Sequence, residues 1–377
     1  MNGFARLAAA LAVVAGLGAQ GRQGFLGSFS DPAIAYDAGR LTDAATRLEE
    51  QLAHGSVRLA FDPSRGYLPA VLRALSVPAE SQVVVFSQTS LQGPRISAKH
   101  PRALYFNDRV AVGWVPDAEL LEIASHDPVR GAVFFTIEQK QTSAPHLVRQ
   151  RECLRCHVSW DTLGIPGFVV LSTGPEDAAG YATGGPVDHR DPIGSRWGGW
   201  YVTGPRIPPS MGVAITAPPW LPAKFDAATF LSPHSDVVAL MVLEHQARAM
   251  NLITWLGWEA RTGASDARLA AIVRDFVAYF TFANEAPLPQ PIEGASGFAA
   301  RFQAAGVRDS NGRSLRDLEL VHRLMKYRCS YMIDSAAFDA MPARAKQAVA
   351  ARMTTELRER DPAALEILRE TKPDLFK

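Results

Sequence analysis

The most constraining feature of this 377-residue chain is one pentapeptide, Cys153-Leu154-Arg155-Cys156-His157, which holds two of the three cysteines. The third cysteine, Cys329, lies far along the sequence. An exported protein that is cross-linked by disulfides normally carries a larger and even number of cysteines, so a hydrophobic core has to hold this fold together. The fold must also accommodate two thiols and an imidazole on one short stretch of backbone.

Two thiols three residues apart, followed directly by a histidine, form the attachment pattern of a c-type haem. In this pattern Cys153 and Cys156 add to the two vinyl groups of the ring, and His157 binds the iron. From the composition alone such a motif arises by chance in roughly 4 of 10,000 chains of this kind. The sequence therefore predicts one covalently bound haem c.

Three other uses of the two cysteines stay open. A thioredoxin-like redox pair needs a helix start after a strand, and residues 133–137 are typical of a strand, but this alternative leaves His157 without a role. A zinc site needs a second pair of ligands, whereas Cys329 stands alone. A structural disulfide between Cys153 and Cys156 is the third alternative.

The N-terminus is typical of an export signal. One basic residue, Arg6, precedes an uncharged apolar run from Leu7 to Ala19. This run is short for a membrane-spanning helix, so residues 1–19 are predicted to be a signal peptide rather than a retained anchor. The predicted location is therefore the periplasm or another exported compartment, which agrees with haem attachment outside the bacterial cytoplasmic membrane.

The charge balance limits the partners of the chain. Lysine and arginine number 39 against 38 aspartate and glutamate residues, which gives a formal net charge of +1. Such a balance argues against a nucleic-acid binder that relies on bulk positive charge. After the N-terminal run no stretch of about 20 uncharged residues occurs, so an integral membrane protein is not expected.

The motif makes the chain resemble a c-type cytochrome. Other stretches are similar to exported single-haem proteins of unassigned function: Tyr105–Asp108, Gly113–Val115, Gly131–Thr136, Arg196–Gly204 and Leu243–Gln246. The motif of small cytochromes c lies near the start of a chain of about 100 residues, whereas here it lies near the middle of 377. The resemblance therefore does not imply the small all-helical cytochrome fold.

The hydrophobic pattern predicts an α+β fold, with a β-rich haem-bearing part followed by a mainly helical C-terminal part. Seven prolines between 205 and 233 separate the two, and the predicted regions are 20–230 (mixed, with the haem) and 231–377 (helical, packed on it). Strands are expected at 83–86, 103–106, 110–115, 120–123, 133–137, 168–172 and 200–203. Helices are expected at 38–53, 66–75, 235–261, 266–283, 314–327, 342–360 and 362–370.

The sixth iron ligand decides what such a haem does. His245, on an apolar helix, is the first candidate, although a lone buried histidine is often only a hydrogen-bonded core residue. Met211 lies in a proline-rich loop after the motif, as the sulfur ligand of small cytochromes does, and His189 and Met241 are further candidates. Arg196 is expected to pair with a haem propionate.

Electron transfer is the leading functional prediction, with a redox partner protein, because several residues are able to fill the sixth position. The alternative is a haem enzyme or ligand sensor with an open or displaceable distal position, since a simple carrier needs only about 100 residues. The third hypothesis is that the haem has a structural role within a binding module. The sequence contains no recognisable pattern that identifies the redox partner, the redox potential or the oligomeric state.

Overall fold

The computed structural model describes residues 24–174, 183–222 and 225–377, so the predicted signal peptide lies outside the described residues. The α+β prediction is confirmed: a large sheet forms in the first part of the chain and helices dominate after residue 236. The strands are β1 (Val83–Val85), β2 (Arg102–Phe106), β3 (Val110–Trp114), β4 (Leu120–Asp127), β5 (Gly131–Glu138), β6 (Val148–Arg149), β7 (Leu171–Thr173), β8 (Gly184–Pro186), β9 (Trp200–Thr203) and β10 (Val213–Ile215). The helices are α1 (Ala44–Ala53), α2 (Leu68–Ala74), α3 (Leu154–His157), α4 (Val237–Arg261), α5 (Asp266–Phe280), α6 (Phe298–Ala304), α7 (Ala336–Asp339), α8 (Ala343–Arg360) and α9 (Pro362–Thr371).

Eight strands form one sheet in the order β10-β9-β1-β2-β3-β4-β5-β6. Strands β1 to β6 follow one another as an antiparallel meander, β9 pairs antiparallel with β1, and β10 pairs parallel with β9. Asn107 and Asp108 connect β2 to β3, as expected of a tight hairpin. Strands β7 and β8 form a separate hairpin.

The two faces of the sheet pack into different cores because side chains alternate along each strand. Tyr105, Val112 and Ile123 belong to a core that also contains Leu48 of α1 and Val71 of α2. The opposite face turns toward α4 and the C-terminal helices. The sheet is therefore covered on both sides.

Helix α4 lies at the centre of the molecule. Asp236 caps its N-terminus by accepting hydrogen bonds from the backbone N–H groups of Val238 and Ala239. Of its 25 residues 23 are buried, and the exceptions are Arg248 and Arg261. A helix buried on all sides needs partners all round, and α4 contacts β1, β5, α5, α6, α7 and α8.

The prediction of a helix at 314–327 is wrong. These residues form turns and one bridge between Leu318 and Met325. The carboxylate of Glu319 accepts hydrogen bonds from the N–H groups of residues 321–323, and Leu320 has a φ of 60°. This side-chain capping competes with helix formation, as acidic and small polar residues often do. Over the described residues, no helix combines the length and apolar character needed to cross a bilayer.

Candidate functional site: a cleft at the cysteine motif

The cysteine motif forms a single helical turn. Cys153 occupies the N-cap of α3, and its carbonyl oxygen accepts hydrogen bonds from the N–H groups of Cys156 (3.2 Å) and His157 (3.0 Å). Both thiols are free, with Cys153 half-buried and Cys156 exposed. One turn of helix therefore carries all three groups of the motif.

Hydrogen bonding fixes the tautomer of His157. Its Nδ1 lies 2.8 Å from the carbonyl oxygen of Gly167. Because a carbonyl oxygen only accepts, Nδ1 carries the proton and the lone pair is on Nε2. Burial lowers the pKa of His157, so the ring is neutral at pH 7. A neutral imidazole whose second nitrogen donates to a backbone carbonyl is the form in which histidine binds metals.

Helix α4 holds the backbone that orients His157. The side chain of Asn251 accepts from the N–H of Phe168 (2.8 Å) and donates to its carbonyl oxygen (2.7 Å). A Cβ atom at Gly167 would lie 2.5 Å from Asn251 Oδ1, so a glycine is required where this contact forms. The position of the imidazole thus depends on a buried amide almost a hundred residues away in the sequence.

A cleft opens beside the motif, between one face of the sheet and a roof formed by residues 168–171 and α4. It holds about 1180 Å³ of space free of protein atoms, part of it open to solvent. Cys153, Cys156 and His157 all line it. The remaining lining is mostly apolar: Val85, Leu91, Leu104, Ala111, Gly113, Ile123, Ala124, Phe134, Phe135, Phe168, Val169, Val170, Leu171, Trp200, Leu243 and Ala247.

The floor of the cleft is made of small residues in register on neighbouring strands. Gly113 lies between Leu104 on β2 and Glu122 on β4, and Ala111 pairs with Ala124. Ala111, Gly113 and Ala124 carry at most a methyl group, so these three positions leave space above the sheet, part of which the Arg102 guanidinium fills over Gly113. The rest of this surface is largely apolar, as the walls of cofactor sites usually are.

One ion pair crosses this floor. The guanidinium of Arg102 passes over Gly113 and lies 2.5 Å from a carboxylate oxygen of Glu122. A Cβ atom at Gly113 would lie 2.1 Å from Arg102 Nη2, so the ion pair depends on the glycine. Within the described part of the chain, Nε of Arg102 is buried without a hydrogen-bond partner.

The donor set of the cleft fits a haem c. It consists of two unpaired thiols and a neutral imidazole with a free Nε2, all beside a mostly apolar floor. A redox pair fits the site less well. Burial raises the pKa of Cys153 to about 11, whereas a reactive redox thiol needs a lowered pKa. Among the described residues, no three His, Cys, Asp or Glu side chains are grouped as a zinc site would require.

The structure does not bring His245 to the motif. Leu243 and Ala247 are the residues of α4 that line the cleft, and His245 lies about 200° around the helix from each. Both of its ring nitrogens are engaged, Nδ1 with His189 (2.9 Å) and Nε2 with Ser330 Oγ (2.7 Å). This geometry argues against His245 as an iron ligand and makes it a hydrogen-bonded core residue.

The other predicted site residues also lie away from the cleft. His189 is buried against His245, Met241 is buried in the helical core, and Met211 is exposed in its loop. Arg196 is buried, pairs with Glu244 (3.3 Å) and donates twice to the carbonyl oxygen of Asp191, so it is not available to a propionate in this cleft.

Sequence reasoning missed Arg102, Glu122, Gly113 and Asn251. Arg102 and Glu122 lie on the same strand face as Leu104 and Ala124, and this alternation is a signal that the sequence contains. The contribution of Asn251 depends on how α4 packs against the loop after the motif, which no local pattern encodes.

Comparisons with known proteins add no assignment. No family model matches the chain, and no curated protein or solved structure is significantly similar to it. Any function therefore has to be argued from the cleft itself.

Proposed function

We propose that this chain is an exported haem protein that binds one haem c in the cleft. Cys153 and Cys156 supply the thioethers and His157 supplies the iron ligand. The observation that carries the proposal is that both free thiols and His157, whose lone pair is on Nε2, line one mostly apolar cleft. Such a haem supplies redox chemistry and a site for small molecules at the iron.

The polar lining of the cleft favours an iron whose sixth position takes an exogenous ligand. Outside the motif, the polar side chains lining it among the described residues are Thr89, Ser90, Arg102, Glu122 and Thr136, with the indole of Trp200 bonded to a backbone carbonyl. Guanidinium and hydroxyl groups donate hydrogen bonds to a bound anion or oxygen-containing ligand, whereas imidazole and thioether are the usual strong iron ligands. We therefore favour a haem enzyme or ligand sensor.

Electron transfer remains the second candidate, and the exposure of Cys156 favours it. The attachment edge of the ring would lie at the protein surface, where a redox partner protein can approach it.

The test is an absorption spectrum of full-length protein expressed with haem-maturation machinery, recorded oxidised, reduced, and reduced with carbon monoxide. We expect covalent haem, detected by haem staining after denaturing electrophoresis, and a carbon monoxide shift of the reduced Soret band. Replacing Cys153 and Cys156 with alanine should abolish the stain, whereas Cys329→Ser should retain it because Cys329 is buried away from the cleft.

Absence of covalent haem would overturn the whole proposal. Covalent haem without any carbon monoxide shift would overturn the open sixth position and return electron transfer to first place.

A further inference from the structure

A second cavity lies behind the roof of the cleft. This polar cavity holds about 1020 Å³ of space free of protein atoms, part of it open to solvent. Residues 168–170 and Ala247 line both spaces, so the two share one wall. The polar cavity differs in chemistry from the cleft, because it is lined by the charged residues Asp161, Asp188, Arg190, Asp191, Glu244 and Arg248.

Glu244 brings an unsatisfied acceptor to the polar cavity. The residue is fully buried, and one carboxylate oxygen lies 3.3 Å from Arg196 Nη1. The other oxygen, Oε1, is buried without a hydrogen-bond partner among the described residues. A buried polar atom without a partner is costly and rare in folded proteins, so it calls for an explanation such as a ligand.

Arg248, one helical turn further along α4, brings an unsatisfied donor. Its Nη1 donates to the carbonyl oxygen of Asp161 (3.2 Å), while its buried Nε has no partner among the described residues. Within that part of the chain it makes no ion pair, in contrast to Arg190, which binds Asp188 through two nitrogens (2.9 and 2.6 Å). Arg248 is therefore a cation that forms no ion pair with any of the described residues, although the carboxylates of Asp161 and Asp188 lie near enough to influence it.

We propose that the polar cavity binds a small organic acid that carries a hydrogen-bond donor next to its carboxylate, as α-amino acids and α-hydroxy acids do. The carboxylate pairs with Arg248 and the adjacent ammonium or hydroxyl donates to Glu244 Oε1. Residues four apart on a helix are separated by about 6 Å, which a molecule of this size bridges through two hydrogen bonds. Trp160, half-exposed and also lining the cavity, offers an apolar surface to the rest of the ligand.

The charges of the cavity exclude simpler ligands. Four carboxyl groups and two guanidiniums line it, and a plain carboxylate would pair with Arg248 but leave Glu244 Oε1 without a donor. A plain amine would satisfy Glu244 but leave Arg248 unpaired. Burial raises the pKa of Glu244 to about 7, so this carboxyl can face an ammonium when ionised or a hydroxyl in either state.

Calorimetric titration of the full-length protein, as purified, tests the proposal. L-Alanine and L-lactate carry both groups, propionate carries only the acid, and isopropylamine carries only the donor. We expect alanine or lactate to bind at least about tenfold more tightly than propionate and isopropylamine, and the preferred one identifies the donor. Equal binding by propionate, or no heat with either two-group compound, would overturn the proposal.

Variants locate the binding. Arg248→Met should weaken binding of the preferred compound about tenfold or more, because it removes the guanidinium but keeps a side chain of similar length. Arg352→Met, at an exposed arginine on α8, is the matched control and should bind as the native protein does. Unchanged binding by Arg248→Met would contradict the proposed site, and this readout does not depend on the haem spectrum.

Discussion

The imidazole of His157 depends on a short series of hydrogen bonds that begins on α4. Asn251 fixes both backbone groups of Phe168, the preceding carbonyl of Gly167 accepts from His157 Nδ1, and Nε2 is left free for a metal. Partners of this kind set the orientation and basicity of a metal-binding histidine. Asn251 is thus a positioning residue for the iron ligand we propose.

Asn251→Leu keeps the volume of the side chain but removes both hydrogen bonds to Phe168. We expect covalent haem to remain, because both cysteines are unchanged, and the iron–histidine stretching band in resonance Raman spectra to broaden and move. Asn251→Asp retains the acceptor for the Phe168 N–H and should show a smaller change. An identical band in Asn251→Leu and the native protein would contradict this role.

His126 makes the stability depend on pH. Burial lowers its pKa to about 4, and its Nε2 lies 2.9 Å from Thr254 Oγ1. Between pH 6.5 and 4 the unfolded chain binds a proton at this position that the folded protein does not, so stability falls as the pH falls, by about 1.4 kcal/mol per pH unit.

His126→Gln removes this titration while keeping polar atoms near Thr254. Between pH 6.5 and 5 we expect the variant to lose about 2 kcal/mol less of its free energy of unfolding than the native protein does. Urea unfolding at both pH values measures the difference. Parallel curves for the two proteins would show that His126 is already protonated in the folded state.

At the scale of single residues, the sequence was most informative where chemistry is local. The spacing of Cys153, Cys156 and His157 is written in five consecutive letters. The surroundings of His245 cannot be predicted from neighbouring residues in the same way. An apolar helix pattern indicates burial but not which face of α4 meets the cleft. The same limitation hid Asn251, whose partners lie on a loop 83 positions away.

Gly113 on β3 leaves room for the ion pair at the floor of the cleft. The missing side chain lets Arg102 reach across from β2 to Glu122 on β4. Larger side chains at this one position would therefore disturb the ion pair and fill the cleft at the same time.

Gly113→Val should reduce haem incorporation per chain and cost about 1–3 kcal/mol of stability through overpacking. Haem content from absorbance against protein concentration, together with urea unfolding, measures both effects. Gly194→Ala, where the added carbon meets no atom within 4 Å, is the control and should match the native protein. Full haem content in Gly113→Val would contradict our placement of the ring over this floor.

The start of α4 is held by an unusually connected cap. One oxygen of Asp236 accepts from Val238 and Ala239, and the other accepts from the N–H groups of Ala295 and Ser296. The carboxylate, buried at 1% exposure, therefore ties α4 to the segment before α6 as well as capping it.

Asp236→Ala should cost about 3 kcal/mol, because it removes the cap and leaves two further buried donors unsatisfied. Ser265→Ala, which removes a simple cap from α5, should cost only about 1 kcal/mol. Thermal or urea unfolding compares the two variants directly. Equal losses would mean that the second oxygen of Asp236 contributes nothing.

Six of the seven predicted strands occur, because alternation and the turn at Asn107 and Asp108 are local signals, whereas the strand predicted at 168–172 begins only at Leu171. Six of the seven predicted helices also occur, with shifted ends. The prediction failed at 314–327, where the Glu319 carboxylate accepts hydrogen bonds from the backbone that follows it, and α6 was not predicted.

The molecule as a whole is built around α4, which completes the core on one side of the sheet. Val85 and Trp200 of the sheet belong to the same hydrophobic cluster as Trp255 and Trp258 of the helix. No helical unit can therefore leave the sheet without exposing a large apolar surface.

Unfolding should accordingly follow one cooperative transition. We expect tryptophan fluorescence, which reports on both the sheet and α4, to change at the same urea concentration as the far-ultraviolet circular dichroism. Two separate midpoints would show that the β-rich and helical parts unfold independently.

The α+β class and the order of its parts could be read from the sequence because each depends on local periodicity. The shape of the cleft could not, since it arises from the register of four strands and from the loop that α4 holds above them. The electron-transfer prediction depended on ligand candidates chosen by their neighbours in sequence, and none of these candidates lines the cleft: His245, Met241, His189 and Met211.

Residues 168–170 and Ala247 of α4 form the wall between the cleft and the polar cavity. This wall is thin, because the same residues line the cleft on one side and the polar cavity on the other. An organic acid seated against Val169 would lie one layer of residues away from the haem that we propose for the cleft. If both proposals hold, the fold keeps the two bound molecules close together but never in contact.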